Sequence, residues 1–569
     1  MRRDALLLGL VLLLALGLRL AAWSAARNTP LDAWHAWDQS DMATYCEQAR
    51  RIAAGDWLGR APYHPYHLWQ SAGGTPDDWL RWYGPHVFNQ APLYSYLLAL
   101  ASRLTDRWID LVRLAQIGLS VAACALLAGV ARRLADRRAG LLAALLAALY
   151  GPALLMDFQI LRENGMLFGL ALLLWLLVRR AVAATGPPSA RPADAFASAI
   201  PLGLTLGILA MFHEAALPLA AATLLALLTL HRRAAASATA RALAGLLCGA
   251  AIGFAPLLVR NVVVGAPPLS ISTRPPLTFA AANMVSAPND GLLFARPGPE
   301  LRRILDAAGG STLGVVRETA RGYAGRPLEW PRRMLKRLGA WFVRVEVPDN
   351  VSFEFHRRHL PPLRWTLTFA TLFPLGAAGL IGVFAARLRA RRAAPPPAGA
   401  AHAAIGCVLL LLIATAAFTA AQGRYRLLLV PVFIPYAALT LSHAADWLAA
   451  RRFGPLLAGA LGCAALVAFQ AWLTKPLASA DRRSAYPITV ANRYAARGAD
   501  ADAIDFYREG LALSPRDADA RRLLAQALAR LKRWPEALRE YETLARVAPQ
   551  TPGLAATLDY VRRQAEPAP

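Results

Sequence analysis

The chain has 569 residues, 56% of them hydrophobic, a mean hydropathy of +0.35 and a formal net charge of +26, from 62 Lys and Arg against 36 Asp and Glu. Apolar stretches of membrane-spanning length recur along it, which excludes an ordinary soluble globular enzyme. Many of the arginines lie between those stretches, so the positive charge marks membrane orientation and not a nucleic-acid surface.

Ala5–Trp23 is the first expected span. It follows Arg2 and Arg3 as a signal peptide would, and Ser24-Ala25-Ala26 resembles a cleavage site, but the apolar run is long for a leader and reads as a retained anchor. Further spans are expected at 109–131, 139–156, 164–180, 197–212, 215–230, 242–259, 364–386, 403–421, 427–446 and 454–473. With the N-terminus inside, the inner loops hold Arg132, Arg133, Arg137 and Arg138, then Arg179, Arg180 and Arg191, then Arg232, Arg233 and Arg241. Arg387, Arg389, Arg391 and Arg392 follow, and last Arg451 and Arg452. The segment 197–230 is too long for one crossing, and His213, Glu214 and Pro218 supply a turn; one span there instead of two would break the arginine pattern. Of the charges deep within spans, Arg19 and Arg113, Arg19 is expected to snorkel outward.

The resulting organisation is an all-α, polytopic membrane protein of about eleven transmembrane helices. Its expected parts are a first helix (1–23), a first outer loop (24–108), a transmembrane core (109–260), a second outer loop (261–362), further spans (363–475), a linker (476–486) and a helical repeat tail (487–564). Ala394–Gly399, with Pro395, Pro396 and Pro397, reads as an inner linker. Cys124, Cys248, Cys407 and Cys463 fall in apolar spans and only Cys46 in a polar stretch; no CxxC is present, so neither a disulfide framework nor a zinc signature emerges.

In the first outer loop, residues 41–54 are amphipathic: Met42, Tyr45, Cys46, Ala49, Ile52 and Ala53 share one helical face, suited to the interface plane, and Gly55 ends the helix. Asp41 stands at or beside its start, where it is either a helix cap or a reactive carboxylate; Asp32 and Asp38 are neighbouring carboxylates. The aromatic residues that follow (Trp57, Tyr63, Tyr66, Trp69, Trp79, Trp82 and Tyr83) suit an interfacial belt or, for one or two of them, a sugar-stacking surface. Val87–Tyr96 contains Asn89-Gln90-Ala91-Pro92-Leu93-Tyr94. Between the third and fourth spans stand Asp157 and Glu163 with Arg162 able to pair with either. Near the end of the membrane domain, Arg424-Tyr425-Arg426 offers two guanidinium groups that either bind phosphate or snorkel to head groups.

In the tail, Ala503, Tyr507 and Pro515 recur 34 residues later as Ala537, Tyr541 and Pro549, the tetratricopeptide period. Helix pairs are expected near 487–498/501–512 and 518–530/534–546, with part of another at 553–564. So short an array is expected to pack on the membrane domain or on a partner.

Taken in order, these segments resemble the bacterial polyprenyl-phosphate-sugar-dependent glycosyltransferases of the GT-C superfamily. The nearest group is family 39, with the protein O-mannosyltransferases and lipid A aminoarabinose transferase. Asp41-Met42-Ala43-Thr44-Tyr45 matches the family's Asp-x-x-x-Tyr, and Asn89–Tyr94 is similar to its Asn-Lys-Pro-Pro-Leu-Tyr. Leu161-Arg162-Glu163 resembles the second acidic site, Arg260-Asn261 the Arg-Asn that closes a span before the large loop, and Arg424-Tyr425-Arg426 the late Arg-Tyr-Arg. The resemblance implies Asp41 as general base, Glu163 as the second catalytic carboxylate, and Tyr45, Asn89, Gln90, Tyr94, Arg260, Arg424, Tyr425 and Arg426 as substrate- or lipid-phosphate-binding residues. Gln90 stands where the family has a lysine, which shifts phosphate binding to Arg424 and Arg426; His213 replaces an arginine and is a poor candidate for an essential residue.

The implied reaction is inverting transfer of a sugar from a polyprenyl-phosphate carrier to an acceptor hydroxyl of a glycan, lipid or protein, on the periplasmic face of a bacterial inner membrane. No cofactor is required by this reading, although a divalent cation bridging Asp41 and Glu163 is conceivable with oxygen ligands. Two other classes compete: a polysaccharide ligase or polymerase, whose key residues belong in a late outer loop, and a non-enzymatic membrane scaffold or transporter that recruits partners through the repeats. The acidic motif in the first loop favours the transferase.

Overall fold

The computed structural model describes residues 2–66, 73–183, 195–232, 234–288, 298–389, 398–474 and 484–566. Trp69, Arg191, Arg233, Arg391, Arg392 and Pro395–Pro397, together with most of the 476–486 linker, lie outside the described residues. The described chain is helical, with one isolated parallel bridge between Tyr150 and Leu367. It divides into two compact units.

The first unit comprises Met1–Ser24, His35–Val347 and Trp365–Pro476. Seven of its described helices are long and apolar enough to cross a membrane: Arg3–Ala26, Trp108–Leu134, Glu163–Ala183, Ala236–Val264, Phe369–Arg389, Gly399–Ala416 and Phe453–Thr474. Ile200–Phe212 and Ala216–His231 are shorter apolar helices on either side of the His213–Ala215 turn. The expected span 139–156 is two helices, Arg137–Ala148 and Gly151–Asp157. It breaks at Leu149–Tyr150, just before Pro152, where the backbone pairs with Leu367 through Gly151 N–H to Leu367 O (2.8 Å) and Leu367 N–H to Leu149 O (2.8 Å). Val430–Ala449, with Pro435 inside it, covers most of the expected 427–446.

Close helix packing in this unit follows from small residues. On Ala236–Val264, Gly245, Gly249 and Gly253 repeat every fourth position, and Gly203 and Gly207 do the same on Ile200–Phe212. A Cβ on Gly249 would collide with the Ile200 carbonyl, and one on Gly203 with the Leu246 carbonyl, so the two backbones touch directly.

Arg19 does not snorkel. It is 1% exposed and forms an ion pair with Asp157 at 2.8 Å, while Ser120 and Asn164 donate to the same aspartate at 2.5 and 2.6 Å. A buried guanidinium needs a carboxylate and further donors around that carboxylate, and the break after Ala148 supplies both the aspartate and carbonyls for Arg19.

The second unit comprises Ala25–Trp34, Pro348–Arg364 and Leu477–Pro569. Its repeats are Ala485–Ala496 with Asp500–Leu513, Ala518–Arg530 with Trp534–Val547, and the single helix Leu554–Ala565. Ala503 and Ala537 are fully buried, and Tyr507 and Tyr541 nearly so, because the repeat needs a small side chain where the paired helices cross and a large one to fill the space beside it. Short stretches of both long loops complete this unit. Tyr486 donates to the Asp349 carbonyl (2.6 Å), Arg497 to the Asn28 carbonyl (3.2 Å), and Glu509 pairs with Arg358 (2.8 Å) and His359 (2.9 Å). Trp34 Nε1 donates to His356 Nε2 at 3.0 Å. Burial holds His356 down at about 4, which keeps the imidazole neutral and able to accept that bond.

Gly249→Leu should therefore cost the first unit about 3 kcal/mol or more, the upper range for overpacking, because backbone and not a flexible side chain stands in the way. Gly17→Leu, which meets nothing within 4 Å, should be close to neutral. Thermal unfolding of the two variants in detergent checks the contrast; equal shifts would contradict the close packing.

Candidate active site

The helix Asp41–Ala53 is capped by Ser40, whose hydroxyl accepts the Ala43 N–H at 3.1 Å. The capping role left open for Asp41 thus belongs to its neighbour. Asp41, the first helical residue, directs its carboxylate elsewhere: Oδ1 accepts from Gln90 Nε2 and from Arg274 Nη2, both at 2.9 Å, and Oδ2 lies 2.7 Å from Arg424 Nη2. The other arm of Arg424, Nη1, is 3.5 Å from Glu163 Oε1. One guanidinium therefore bridges two carboxylates that are 122 positions apart in sequence. The side chains of Asp41, Arg274 and Arg424 are 14%, 15% and 11% exposed and face a recess, whereas Glu163, 5% exposed, is buried behind Arg424 and does not line it.

That recess is a cavity of about 340 Å³. Asp41, Gln90, Arg162, His213, Glu214, Arg274, Arg424 and Tyr425 supply its polar lining. Leu217, Phe279, Val316, Leu412, Phe418 and Leu428 are among its apolar walls. Leu412 belongs to Gly399–Ala416, one of the helices long and apolar enough to cross a membrane, so the cavity sets apolar walls beside fixed charges.

Glu214 assembles the surroundings. Its Oε1 accepts from the Ala91 N–H (3.0 Å) and the Ser272 hydroxyl (2.5 Å), and its Oε2 pairs with Arg162 (2.8 Å). The strip before Leu93–Leu104, the segment leading into Arg274–Asn283 and the Arg162 turn are thereby fixed to one carboxylate. Burial pushes that carboxyl up, but Arg162, His213 and the Ser272 bond outweigh it and hold Glu214 at about 2. His213 is held down at about 3, by burial first and by Arg162 second. Its neutral Nδ1 accepts the Ala215 N–H at 3.0 Å. Burial likewise raises the Tyr45 hydroxyl well above its ordinary range, so it is a packing and hydrogen-bonding group and not a phenolate.

Of the residues singled out from sequence, the structure brings Asp41, Glu163, Gln90, Arg424 and Tyr425 together, and Tyr425 is also the acceptor of a 3.3 Å bond from Arg424. Gln90 contacts Asp41 and so supports the carboxylate. Tyr45 and Tyr94 lie beneath the site. Their rings meet edge to face at 5.2 Å, Arg162 covers Tyr45 at 5.7 Å, and the Tyr94 hydroxyl donates to Gln116 at 2.7 Å. Asn89 is 3% exposed, and its carbonyl accepts from Thr273.

Two expected phosphate ligands are placed elsewhere. Arg426 donates to the carbonyls of Val343 (2.7 Å) and Val345 (2.5 Å), pairs with Glu346 (2.9 Å) and covers Phe369; it is 2% exposed and holds the 343–347 loop. Arg260 donates to the carbonyls of Leu58, His86 and Gly59 and lies 4.1 Å from the Phe88 ring centre, tying the first loop to the helix end. Arg162, expected against Asp157 or Glu163, pairs with Glu214 instead.

Arg274 escaped the sequence reading. It lies in a long loop without periodic pattern, and its only local signal is a basic residue opening Arg274-Pro275-Pro276, where prolines suit a first helical turn. Nor do the residues fit a bridging divalent cation. The space between Asp41 and Glu163 is filled by the Arg424 guanidinium, and among the described residues no group of three or more His, Cys, Asp or Glu is disposed to hold a metal.

Residues 494–558 match the tetratricopeptide repeat family. No curated protein matches the chain. Among solved structures it is similar to the oligosaccharyltransferase of Archaeoglobus fulgidus. The apo form is 15% identical with a TM-score of 0.45, over 83% of this chain and 54% of that one. For AglB in complex with an inhibitory peptide and a dolichol-phosphate the figures are 15%, 0.44, 83% and 56%. For the form tethered to an acceptor peptide they are 16%, 0.41, 83% and 53%. The chain thus spans just over half the length of these proteins.

The perturbed histidine sets a pH dependence of stability. His213 is protonated near pH 3 in the folded chain and near 6.5 when unfolded, so between these values the unfolded state binds more protons and stability falls as pH falls. Glu214 adds its own loss only below about 4.5, its ordinary value. Between pH 6.5 and 5 the melting temperature should fall more steeply for the native chain than for His213→Gln; parallel slopes would contradict the buried neutral imidazole.

Proposed function

We propose that this chain is a membrane glycosyltransferase that moves a sugar from a polyprenyl-phosphate carrier to an acceptor hydroxyl on the outer face of a bacterial cytoplasmic membrane. The observation that carries the reading is the guanidinium of Arg424, paired with Asp41 on the wall of a largely apolar cavity and with the buried Glu163 behind it. The order of the family-like segments supports it, since residues from the first loop, the 157–164 turn and the 423–426 turn all meet there.

In this mechanism the acceptor oxygen attacks the anomeric carbon from the side opposite the phosphate and gives its proton to Asp41. The bond between the anomeric carbon and the phosphate oxygen breaks, and its electron pair leaves with the lipid phosphate. Displacement from the opposite side inverts the centre. A lipid phosphate is a weak base, so its departure needs charge stabilisation more than a proton, and Arg424 supplies it. Glu163 orients the sugar or acceptor hydroxyls, and the apolar walls receive the first isoprene units. The arginine pattern of the loops favours an outward site, and the repeats are assigned to binding a protein or peptide partner on that side.

Asp41→Asn keeps the side chain's size but removes the base, and should lower transfer by about 10²- to 10⁴-fold with normal expression and insertion. Mass spectrometry of envelope glycans and glycoproteins checks this. Cells lacking the chain should lose one species, which the native chain restores and Asp41→Asn does not. Restoration by well-expressed Asp41→Asn would remove Asp41 from the chemistry.

A further inference from the structure

The donors around Asp41 exceed what holding one carboxylate requires. Its two oxygens face Arg274 at 2.9 Å, Gln90 at 2.9 Å and Arg424 at 2.7 Å. A carboxylate offers about four lone-pair positions, and these three donors take most of them, so an acceptor hydroxyl has to compete with two cations for the same oxygens. Arg274 has no counterpart in the family-like segments. It nevertheless lines the same cavity as Arg424 and meets the same carboxylate from its opposite oxygen. Each guanidinium carries five donors in a planar fork, suited equally to a carboxylate and to a phosphate.

We propose that Arg274 is a second anion-binding residue of this site, and that Arg274 and Arg424 are shared between Asp41 and the phosphate of an incoming prenyl-phosphate group. The proposal rests on the transferase reading given above. Without ligand, both guanidiniums neutralise Asp41. When the phosphate enters, its oxygens compete for the same N–H groups, the two side chains swing from carboxylate to phosphate, and Asp41 is left with Gln90 and room for a hydroxyl. The lipid donor then has to bind before the base is usable. The site is thereby protected from deprotonating water or an acceptor when no sugar is present, and substrate addition is ordered with the donor first. Arg424 keeps its second contact, Glu163, as an anchor when it turns from Asp41 to the phosphate.

The test is binding and not turnover: the affinity of the full-length protein in detergent for farnesyl phosphate, with farnesol and inorganic phosphate as separate arms. Arg274→Gln should weaken farnesyl phosphate binding about tenfold, the loss of one charge-assisted contact. Asp41→Asn should tighten it at least threefold, roughly, because the competing carboxylate is gone. Removal of a negative charge could tighten binding without any sharing, so the double variant decides. If the guanidinium is shared, Arg274→Gln costs more in the Asp41→Asn background than in the native one; if not, the two effects add. Additive effects, or an Arg274→Gln variant that melts normally and binds like the native protein, overturn the proposal. Should Arg274→Gln fail to fold, Arg274→Lys takes its place, and a non-additive, weaker effect in the same direction is expected. Failure of the native protein to bind farnesyl phosphate better than farnesol overturns the transferase reading and this inference together. Inorganic phosphate alone, bound with the same variant pattern, locates the affinity in the head group and supports the proposal.

Discussion

A charged guanidinium held between two carboxylates, away from bulk water, is the interaction on which the rest of the arrangement turns. Arg424 reaches Asp41 with one nitrogen and Glu163 with the other, and neither acid is tolerable in such a recess without a cation. Removing charges from water costs several kcal/mol each, and only good geometry and additional hydrogen bonds recover it. The surrounding chain is organised to supply them. Ser40 takes over the helix cap so that Asp41 faces inward, Gln90 completes its shell, and Glu214 gathers the Ala91, Ser272 and Arg162 segments into register. The proposed transfer, which would need phosphate attraction and proton acceptance side by side, calls for both signs of charge at close range, and the pairing of Arg424 with Asp41 and Glu163 supplies them.

The other buried pairs in the first unit do comparable work at a distance from the cavity. Arg19 with Asp157 fixes the break between Arg137–Ala148 and Gly151–Asp157, just ahead of the Glu163 helix. Arg426 with Glu346 holds the 343–347 loop against the turn that carries Arg424. Truncating one member of such a pair strands the other, typically at a cost of 3–5 kcal/mol. Arg426 and Arg260 thus hold in place the turn that carries Arg424 and the first loop. The second unit instead carries pairs with half-exposed arginines, Arg530 on Asp500 and Arg358 on Glu509, which contribute little beside its repeat core of alanine and tyrosine.

Much of this was legible in the residues because it depends on local pattern. Spanning helices follow from apolar length, the amphipathic face of 41–54 from periodicity, and the repeats from a 34-residue recurrence, all of which the chain carries in contiguous stretches. Asp41, Glu163 and Arg424 were legible as candidates through family-like segments. What stayed hidden depends on which distant groups meet. Whether an arginine near residue 425 points into a cavity or into a loop is decided by carbonyls at 343 and 345, and nothing near Arg426 in sequence announces them. Snorkelling is the local expectation for Arg19, and only its partner Asp157, 138 positions away, overrides it. Arg274, a single arginine in an aperiodic loop, carries no local pattern that marks it. The number of spans is likewise unsettled by local pattern where proline and short helices interrupt the apolar runs, as at Tyr150 and across His213–Ala215.

The most direct measurement asks whether the first-loop carboxylate and the late guanidinium share one outward cavity. A variant with its five native cysteines replaced and single cysteines placed at 41 and 424 would be treated, in intact cells, with a short membrane-impermeant thiol crosslinker. Efficient crosslinking of that pair, absent when the second cysteine is placed at 451 in a basic loop read as inner, is the predicted result. No crosslink between 41 and 424, or one formed only in inverted vesicles, would contradict the account.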